Sequence, residues 1–149
     1  MEHIRKAKAK DASRLAEILV FVKRMNYRSI FHNDDYSFGE LQVLPVAQEY
    51  LDDAELLGST YVYDDGIVRG LVQVNGQEVV KLYVDHFFQG QGIGDKLLEF
   101  AVREFDVQYL YALEKNTRAV AFYARHGFRF KGDWEYEEGT TERLLKLER

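Results

Sequence analysis

The spacing of apolar side chains predicts a helix near the amino terminus. In this segment apolar residues recur every three to four positions, as on the buried face of a helix. These residues are Leu15, Ile18, Leu19, Val22 and Met25. Asp11 or Ser13 can cap the helix, because their side-chain oxygens accept hydrogen bonds from free backbone N–H groups. Residues 3–9 alternate between polar and apolar and predict a short edge strand before it.

The pattern then changes from helices to strands joined by short turns. Residues 27–38 are polar, aromatic and uneven in spacing, so they predict a loop or a broken helix. A second helix is predicted over residues 38–51, where Pro45 marks a kink or a restart. Two hairpins follow, because Asp65-Gly66 and Asn75-Gly76 are typical turn sequences. Their strands cover residues 58–63, 67–74 and 78–84.

In the carboxyl-terminal half, helices and strands alternate. A helix over residues 92–105 leads to a buried strand over 107–113, which predicts a parallel pair with the strand before the helix. Asn116 caps a helix over residues 117–126, and Gly127 suits the position after its end. A final antiparallel pair covers residues 128–137 and 140–147. The order β-α-α-β-β-β-α-β-α-β-β predicts an α/β (α+β) fold, with residues 1–149 as a single domain.

A glycine-rich loop joins the strand over residues 78–84 to the next helix. Its sequence is Gln89-Gly90-Gln91-Gly92-Ile93-Gly94-Asp95. Glycine has no Cβ, so backbone N–H groups can point into one concavity at a helix N-terminus, which suits a phosphate group. The Walker motif is absent, and Asp95 occupies the place of the third glycine in a dinucleotide fingerprint. A phosphate-binding loop and a simple tight connection remain as alternatives.

Two motifs resemble those of one family. Gln89-x-x-Gly92-x-Gly94 resembles the pyrophosphate-binding signature of the GNAT superfamily, the Gcn5-related N-acetyltransferases, which use acetyl-CoA. Asn116-x-x-Ala119-x-x-Phe122-Tyr123-x-x-x-Gly127-Phe128 resembles the other family motif, in the expected order and separation. The resemblance runs from about Leu56 to the C-terminus, and His86 departs from the proline common in related loops. It implies a GNAT fold, with a mixed central sheet of about six to seven strands flanked by about four helices.

The resemblance also implies a binding site for acetyl-CoA. Backbone N–H groups of Gln89, Gly90, Gln91, Gly92, Ile93, Gly94 and Asp95 would surround its pyrophosphate. Leu82, Tyr83 and Val84 would pair through their main chain with the pantetheine arm, where the fourth and fifth strands splay apart. A backbone N–H near Tyr83 or Val84 would polarise the thioester carbonyl. The side chains of Leu82 and Val84 can pack in the core at the same time.

One face of the predicted helix over residues 117–126 carries the candidate acid. Asn116, Ala119, Val120 and Tyr123 share this face by their spacing. The resemblance implies that Asn116 hydrogen-bonds the cofactor arm and that Ala119 leaves room for it. A phenol with a pKa of about 10 is protonated at neutral pH, so Tyr123 can donate a proton to the departing thiolate. The alternative for Tyr123 is a core aromatic beside Phe122.

The general base and the acceptor-binding residues are less defined by the sequence. Glu78 stands eleven residues before Gln89, the spacing of a general-base glutamate in some family members, and Glu114 or a water chain are the alternatives. Side chains from the two amino-terminal helices, their link and the last hairpin are expected to contact the acceptor. Candidates for this aromatic and acidic wall are Tyr27, Phe31, Asp34, Asp35, Tyr36 and Glu40, unless they form a solvated loop.

Composition narrows the classes of function. The chain of 149 residues has a net charge of -5, which argues against nucleic-acid binding. It has no cysteine, so a Cys acyl-enzyme is excluded, and its four histidines lack ligand spacing, so no metal site is expected. No membrane association is expected, and the amino terminus predicts a cytoplasmic protein. The exposed edge of the final strand could pair with the same strand of a second copy, so the sequence leaves open whether the chain forms a homodimer.

We therefore predict an N-acetyltransferase. It would transfer the acetyl group of acetyl-CoA to a primary amine of a small molecule or peptide, by direct transfer in a ternary complex. The alternatives are a non-catalytic acyl-CoA-binding regulatory module on the same fold and a binding domain without a cofactor.

Overall fold

The computed structural model describes residues 2–32 and 42–149, which form a mixed sheet flanked by helices. The strands are β1 (Ile4–Lys6), β2 (Thr60–Asp64), β3 (Val68–Asn75), β4 (Glu78–Val84), β5 (Tyr109–Leu113), β6 (Arg129–Tyr136) and β7 (Arg143–Glu148). The helices are α1 (Ala12–Phe31), α2 (Val43–Asp52), α3 (Ala54–Gly58), α4 (Ile93–Phe105) and α5 (Thr117–Arg125). The seven strands lie in the order β1-β2-β3-β4-β5-β7-β6. The predicted mixed sheet is confirmed.

The sheet separates two hydrophobic clusters. One joins α1 and α2 to β2 and β3, with Leu15, Tyr50 and Leu71 at its centre. The other joins α4 to β5 and β7, with Leu97 and Phe128 at its centre. The predicted hairpins and the parallel pairing of β4 with β5 are confirmed. None of the described helices is long and apolar enough to cross a membrane.

The first helix is longer than the sequence pattern predicts. Residues 27–31 continue α1 and do not form a loop, because Tyr27 and Phe31 stack edge to face one turn apart, with ring centroids 5.6 Å apart. The helix ends at His32, which has a left-handed φ of 52°. Met25 was predicted to be on the buried stripe, but it is 52% exposed. The rest of the predicted loop, from residue 33 to residue 38, lies outside the described residues.

The region around α2 decides between two predictions for Pro45 and adds a helix. Pro45 lies in the first turn of α2, where a backbone N–H has no helical partner, so it fits the predicted restart of the helix and not a kink. The short helix α3 was missed. Its signal is Asp53, whose carboxylate accepts the N–H groups of Glu55 at 3.1 Å and Leu56 at 3.0 Å.

The edge of the sheet also differs from prediction. The final strand, β7, lies between β5 and β6, so its edges are both paired. The edge strand on that side is β6, whose residues are all exposed. Pairing with a second copy through this side of the sheet would therefore use β6 and not the final strand.

The core packing gives a first prediction. Leu97 is fully buried in α4, so Leu97→Ala should lower the free energy of unfolding by about 2–5 kcal/mol, because it removes apolar contacts and leaves a cavity. Leu44→Ala is the control, since Leu44 is 81% exposed, and it should change stability by less than about 0.5 kcal/mol. Chemical denaturation measures both. Equal stability of the two variants would contradict the packing described here.

Candidate active site

The site is defined by a gap that opens where β4 and β5 stop pairing, and this gap is called the wedge here. These strands pair over only two positions, Glu78 with Tyr109 and Val79 with Leu110. On its other side β4 continues to pair with β3, but Lys81 faces Gln73 and Val79 faces Val74. Two steps along β4 therefore match one step along β3, and Val80 is the extra residue of a β-bulge. A bulge bends its strand, so β4 leaves β5 directly after Val79.

The bulge also decides which side of the sheet each β4 side chain contacts. Val79, Leu82 and Val84 belong to the cluster that contains α4. Tyr83 packs against the cluster of α1 and α2, and Lys81 contacts the ring of Tyr50 in α2. The wedge is thus apolar on the α4 side, and it carries polar side chains on the α1 side.

The main chain of β4 presents hydrogen-bonding groups to the wedge. Asp85 donates its N–H to Arg69 O, at 2.8 Å, on the β3 side. Because successive residues of a strand point their backbone groups in opposite directions, the N–H of Val84 points toward the wedge. Consistent with this, Val84 O accepts a hydrogen bond from Gln89 Nε2 at 3.2 Å. Of the two predicted carbonyl-polarising groups, the Val84 N–H faces the wedge and the Tyr83 N–H faces β3.

The loop before α4 holds a row of free backbone donors. Gly90 and Gly92 have φ values of 80° and 81°, which side chains with a Cβ rarely adopt. The first helical hydrogen bond of α4 runs from Lys96 N to Gly92 O at 3.1 Å. Within residues 2–32 and 42–149, the N–H groups of residues 90–95 find no backbone acceptor. They form a concavity at the positive end of the α4 dipole.

Neighbouring groups fix the shape of this loop. Gly94 packs between α5 and β4, since an added Cβ would make van der Waals contact with the ring of Phe122 at 3.4 Å and with Val84 at 3.6 Å. Asp95 Oδ1 lies 2.7 Å from Nε2 of His126, which ties the start of α4 to the end of α5. His86, at the position of the usual proline, starts a 3-10 turn that Asp85 caps.

Helix α5 forms the opposite wall. Asn116 caps it through Oδ1, which accepts the N–H of Ala119 at 3.3 Å and leaves the side-chain NH₂ as a donor. The ring of Tyr123 lies 5.2 Å from that of Phe122 and 6.5 Å from that of Phe128. Burial, and then the neighbouring Tyr27, raise the pKa of Tyr123 above its ordinary value, so its phenol keeps its proton at neutral pH.

Tyrosines connect this wall to α1. The hydroxyl groups of Tyr27 and Tyr83 hydrogen-bond each other. Burial, followed by Tyr27, raises the pKa of Tyr83 well above its ordinary value. Tyr123 also contributes to that rise, and these three tyrosines, from α1, β4 and α5, all line the same cleft.

The glycine loop, the free edge of β4 and one face of α5 line a single cleft of about 1430 Å³. The predicted site residues among its walls are Glu78, Leu82, Tyr83, Val84, Gln89, Gly90, Gly92, Ile93, Gly94, Asp95, Asn116, Ala119 and Tyr123. Gln91 is exposed and lies outside this lining. Motifs that are separated by more than twenty residues in the chain thus meet around a single space.

The two candidate bases lie in different surroundings. Glu78 lines the cleft, and burial, followed by Glu135, raises the pKa of its carboxyl. It begins β4, five residues before Tyr83, which corresponds to roughly 16 Å along an extended strand. A proton released near Tyr83 can therefore reach the Glu78 carboxylate only through intervening water molecules. The Glu114 carboxylate forms an ion pair with Arg143 at 3.2 Å.

The acceptor side of the cleft was predicted in part. Tyr27 and Phe31 line it, whereas Asp34, Asp35, Tyr36 and Glu40 lie outside the described residues. The prediction missed Lys23 and Lys81, which also line the cleft. Lys23, Tyr27 and Phe31 are four residues apart, so a continuous α1 would have placed them on one face. Lys81 stands two residues before Tyr83, so the alternation of β4 places it on the face opposite Leu82 and Val84.

Comparison with known proteins decides the family. Residues 57–130 match the model of the acetyltransferase (GNAT) domain. The chain belongs to the GNAT superfamily of acetyltransferases. The predicted family, fold and enzyme class are therefore confirmed, and acetyl-CoA is confirmed as the cosubstrate at the level of this family.

Individual GNAT proteins resemble the chain over different lengths. Peptidyl-lysine N-acetyltransferase YjaB of Salmonella typhimurium is 28% identical over 148 residues, which cover 99% of this chain and 97% of that protein. Spermine/spermidine N(1)-acetyltransferase of Bacillus subtilis is 28% identical over 80 residues, half of this chain and 49% of that protein. The structure of PaiA N-acetyltransferase from Thermoplasma acidophilum in complex with coenzyme A superposes with a TM-score of 0.74 at 19% identity, covering 98% of each chain.

The cap of α5 gives a second prediction. In this GNAT enzyme Asn116→Ala removes the acceptor for the Ala119 N–H, and it should lower the free energy of unfolding by about 0.5–2 kcal/mol. Asn116→Asp keeps an acceptor oxygen and should retain most of the stability. Thermal and denaturant unfolding measure both variants. If alanine and aspartate at this position gave the same stability, Asn116 would not act as the cap.

Proposed function

We propose that this enzyme transfers the acetyl group of acetyl-CoA to a primary amine of a small molecule or peptide, by direct attack of the amine on the thioester. The observation that carries the proposal is that the free N–H groups of the glycine loop, the wedge beside β4 and Tyr123 share one cleft. Residues 1–149 would act as a single domain, in the cytoplasm.

The glycine loop would hold the pyrophosphate of acetyl-CoA. Six successive backbone N–H groups, from Gly90 to Asp95, have no backbone acceptor in the described residues, and the α4 dipole favours an anion at this end. Gln89 would support the loop from below, since its amide is bonded to Val84 O. Arg118 and Arg125 line the same cleft and add positive charge near the phosphate groups.

The wedge would hold the pantetheine arm and the thioester. An amide-containing arm can pair with the main chain of Leu82 and Val84, as a strand would. The Val84 N–H then faces the thioester carbonyl and stabilises the negative charge that develops on its oxygen. The NH₂ group of Asn116 would donate to the arm, and the small side chain of Ala119 leaves space for it.

Tyr123 would act as the general acid. When the neutral amine attacks the carbonyl carbon, the C–N bond forms and the carbon–sulfur bond then breaks. The departing thiolate takes the phenolic proton of Tyr123, whose raised pKa keeps that proton in place until the thiolate forms. The proton lost by the amine passes through water to Glu78, whose pKa is raised by burial, so that it is a stronger base than an ordinary glutamate. The tyrosinate then regains a proton from solvent.

The loop proposal gives a third prediction. The double variant Gly92→Val, Gly94→Val should weaken coenzyme A binding by about 100-fold or more. The valine side chains would block the contact between the pyrophosphate and the backbone N–H groups of the loop. Gly66→Val is the matched control, since its φ of 120° imposes similar strain in a hairpin outside the cleft. Calorimetry measures binding, and circular dichroism checks folding.

Single Gly92→Val separates loss of binding from loss of folding. No atom lies within 4 Å of its Cβ position, so only the loop conformation and the ligand space change. Unchanged coenzyme A affinity in the folded single and double variants would refute the loop assignment.

The acid gives a fourth prediction. Tyr123→Phe should reduce kcat by about 10²-fold or more and leave coenzyme A affinity within about 2-fold, because the hydroxyl acts on the leaving thiolate. Tyr136→Phe is the control, since Tyr136 is 59% exposed and outside the cleft. Free thiol release from acetyl-CoA with a panel of amines measures turnover. Equal rates for wild type and Tyr123→Phe would remove Tyr123 from the mechanism. Coenzyme A binding without acceleration of thiol release by any amine would point to the non-catalytic module.

A further inference from the structure

Two lysines face the acceptor side of the cleft from different elements. Lys23 of α1 and Lys81 of β4 are both half-buried and both line the cleft. Neither ammonium group has a carboxylate within ion-pair distance among residues 2–32 and 42–149. Half-buried lysines without a partner lose hydration and gain no ion pair, so this arrangement costs free energy in the absence of a ligand.

A buried hydroxyl lies beside this pair. Tyr50 is 1% exposed, and its hydroxyl has no hydrogen-bond partner in the described structure. Lys81 Nζ lies 5.6 Å from the centroid of the Tyr50 ring. Burial raises the pKa of Tyr50 to about 12, so the group remains a hydroxyl that can donate a hydrogen bond. Two ammonium groups and one hydroxyl donor thus lie in the same part of the molecule, and none of them has an acceptor among residues 2–32 and 42–149.

The two ammonium groups influence each other, and glutamates of the last hairpin line the same cleft: Glu135, Glu137, Glu138 and Glu142. Burial lowers the pKa of Lys23 and of Lys81, and Lys23 lowers the pKa of Lys81 further, so the two ammonium groups repel each other. Glu49 raises both pKa values and Glu137 raises that of Lys23, but neither glutamate forms an ion pair with them. Glu49 is exposed to solvent, and burial raises the pKa of Glu137. An anion between the lysines would remove their repulsion and supply the missing acceptor.

We propose that Lys23 and Lys81 form a carboxylate-binding subsite, so that the acceptor amine also carries a carboxylate. This inference rests on the proposed transfer to an amine. Lys81 precedes Tyr83 by two residues on the same face of β4, a rise of about 7 Å, and the Val84 N–H that faces the thioester follows directly. A carboxylate held by the lysines would therefore place the amine of a short amino acid at the thioester. A polyamine would instead bring positive charge against these two ammonium groups. The opposing attraction comes from the glutamates of the last hairpin that line the cleft, so spermidine is the comparison that decides.

The test compares acceptors that differ only in charge. Glycine, β-alanine and 4-aminobutyrate are assayed beside their carboxamides, with spermidine as the polycation, and thiol release gives kcat/KM for each. The best carboxylate should exceed its carboxamide by about 10-fold or more, because charge-assisted hydrogen bonds to two lysines are lost in the amide.

Variants connect this preference to the lysines. Lys23→Met and Lys81→Met keep the length of the side chain and remove its charge. Each should raise KM for the best carboxylate by about 10–100-fold and leave kcat/KM for its carboxamide within about 3-fold. Lys131→Met, an exposed lysine of β6 outside the cleft, is the matched control and should change neither.

The outcomes separate this inference from the proposed function. Suppose that amines are acetylated. A preference for carboxamides or spermidine would refute the subsite, and so would methionine variants that keep the carboxylate preference. In either case the transferase proposal stands. If no amine in the panel accelerates thiol release, transfer to these acceptors is refuted, and a binding titration decides the subsite. Coenzyme A-saturated protein should bind N-acetyl-β-alanine, and both methionine variants should lose that binding. Absence of binding to the wild type would refute the subsite.

Discussion

The early end of the pairing between β4 and β5 is the constraint on which the site depends. Parallel strands in the middle of a sheet normally exchange hydrogen bonds along their shared length. Here the extra residue Val80 bends β4 away after Val79, so the centre of the sheet holds an open wedge. Main-chain groups that a neighbouring strand would otherwise satisfy face a cleft. The sheet therefore provides a strand edge for a ligand in its interior.

The glycine loop extends this row of donors. The chain turns from β4 into α4 through Gly90 and Gly92, and the N–H groups of residues 90–95 lack backbone acceptors in the part of the chain that the structure describes. Backbone donors are rarely left unpaired in folded proteins unless water or a ligand reaches them. The wedge and the loop together offer polar main chain over the length of an extended cofactor, while Leu82 and Val84 keep their side chains in the core.

Much of the fold and of the cofactor side was predictable, because both depend on local sequence. Turn residues such as Asn75-Gly76 identify hairpins, and the two glycine-containing motifs identify the loop and α5. The extension of α1 to Phe31 was not predictable, since it is stabilised by packing of aromatic side chains that also suit a loop. The acceptor side was missed for a related reason. Its residues come from α1 and β4, so its composition depends on how that helix packs on the sheet, which local sequence patterns do not give.

Amide hydrogen exchange, resolved by residue, tests the central claim most directly. Coenzyme A added to the protein should slow exchange at the backbone N–H groups of residues 90–95 and of Val84, because these donors acquire acceptors on the pyrophosphate and the pantetheine arm. Amides of the β2–β3 hairpin, around Gly66, should keep their rates. Protection by coenzyme A that is absent from the loop and from Val84, and present elsewhere in the chain, would contradict the account.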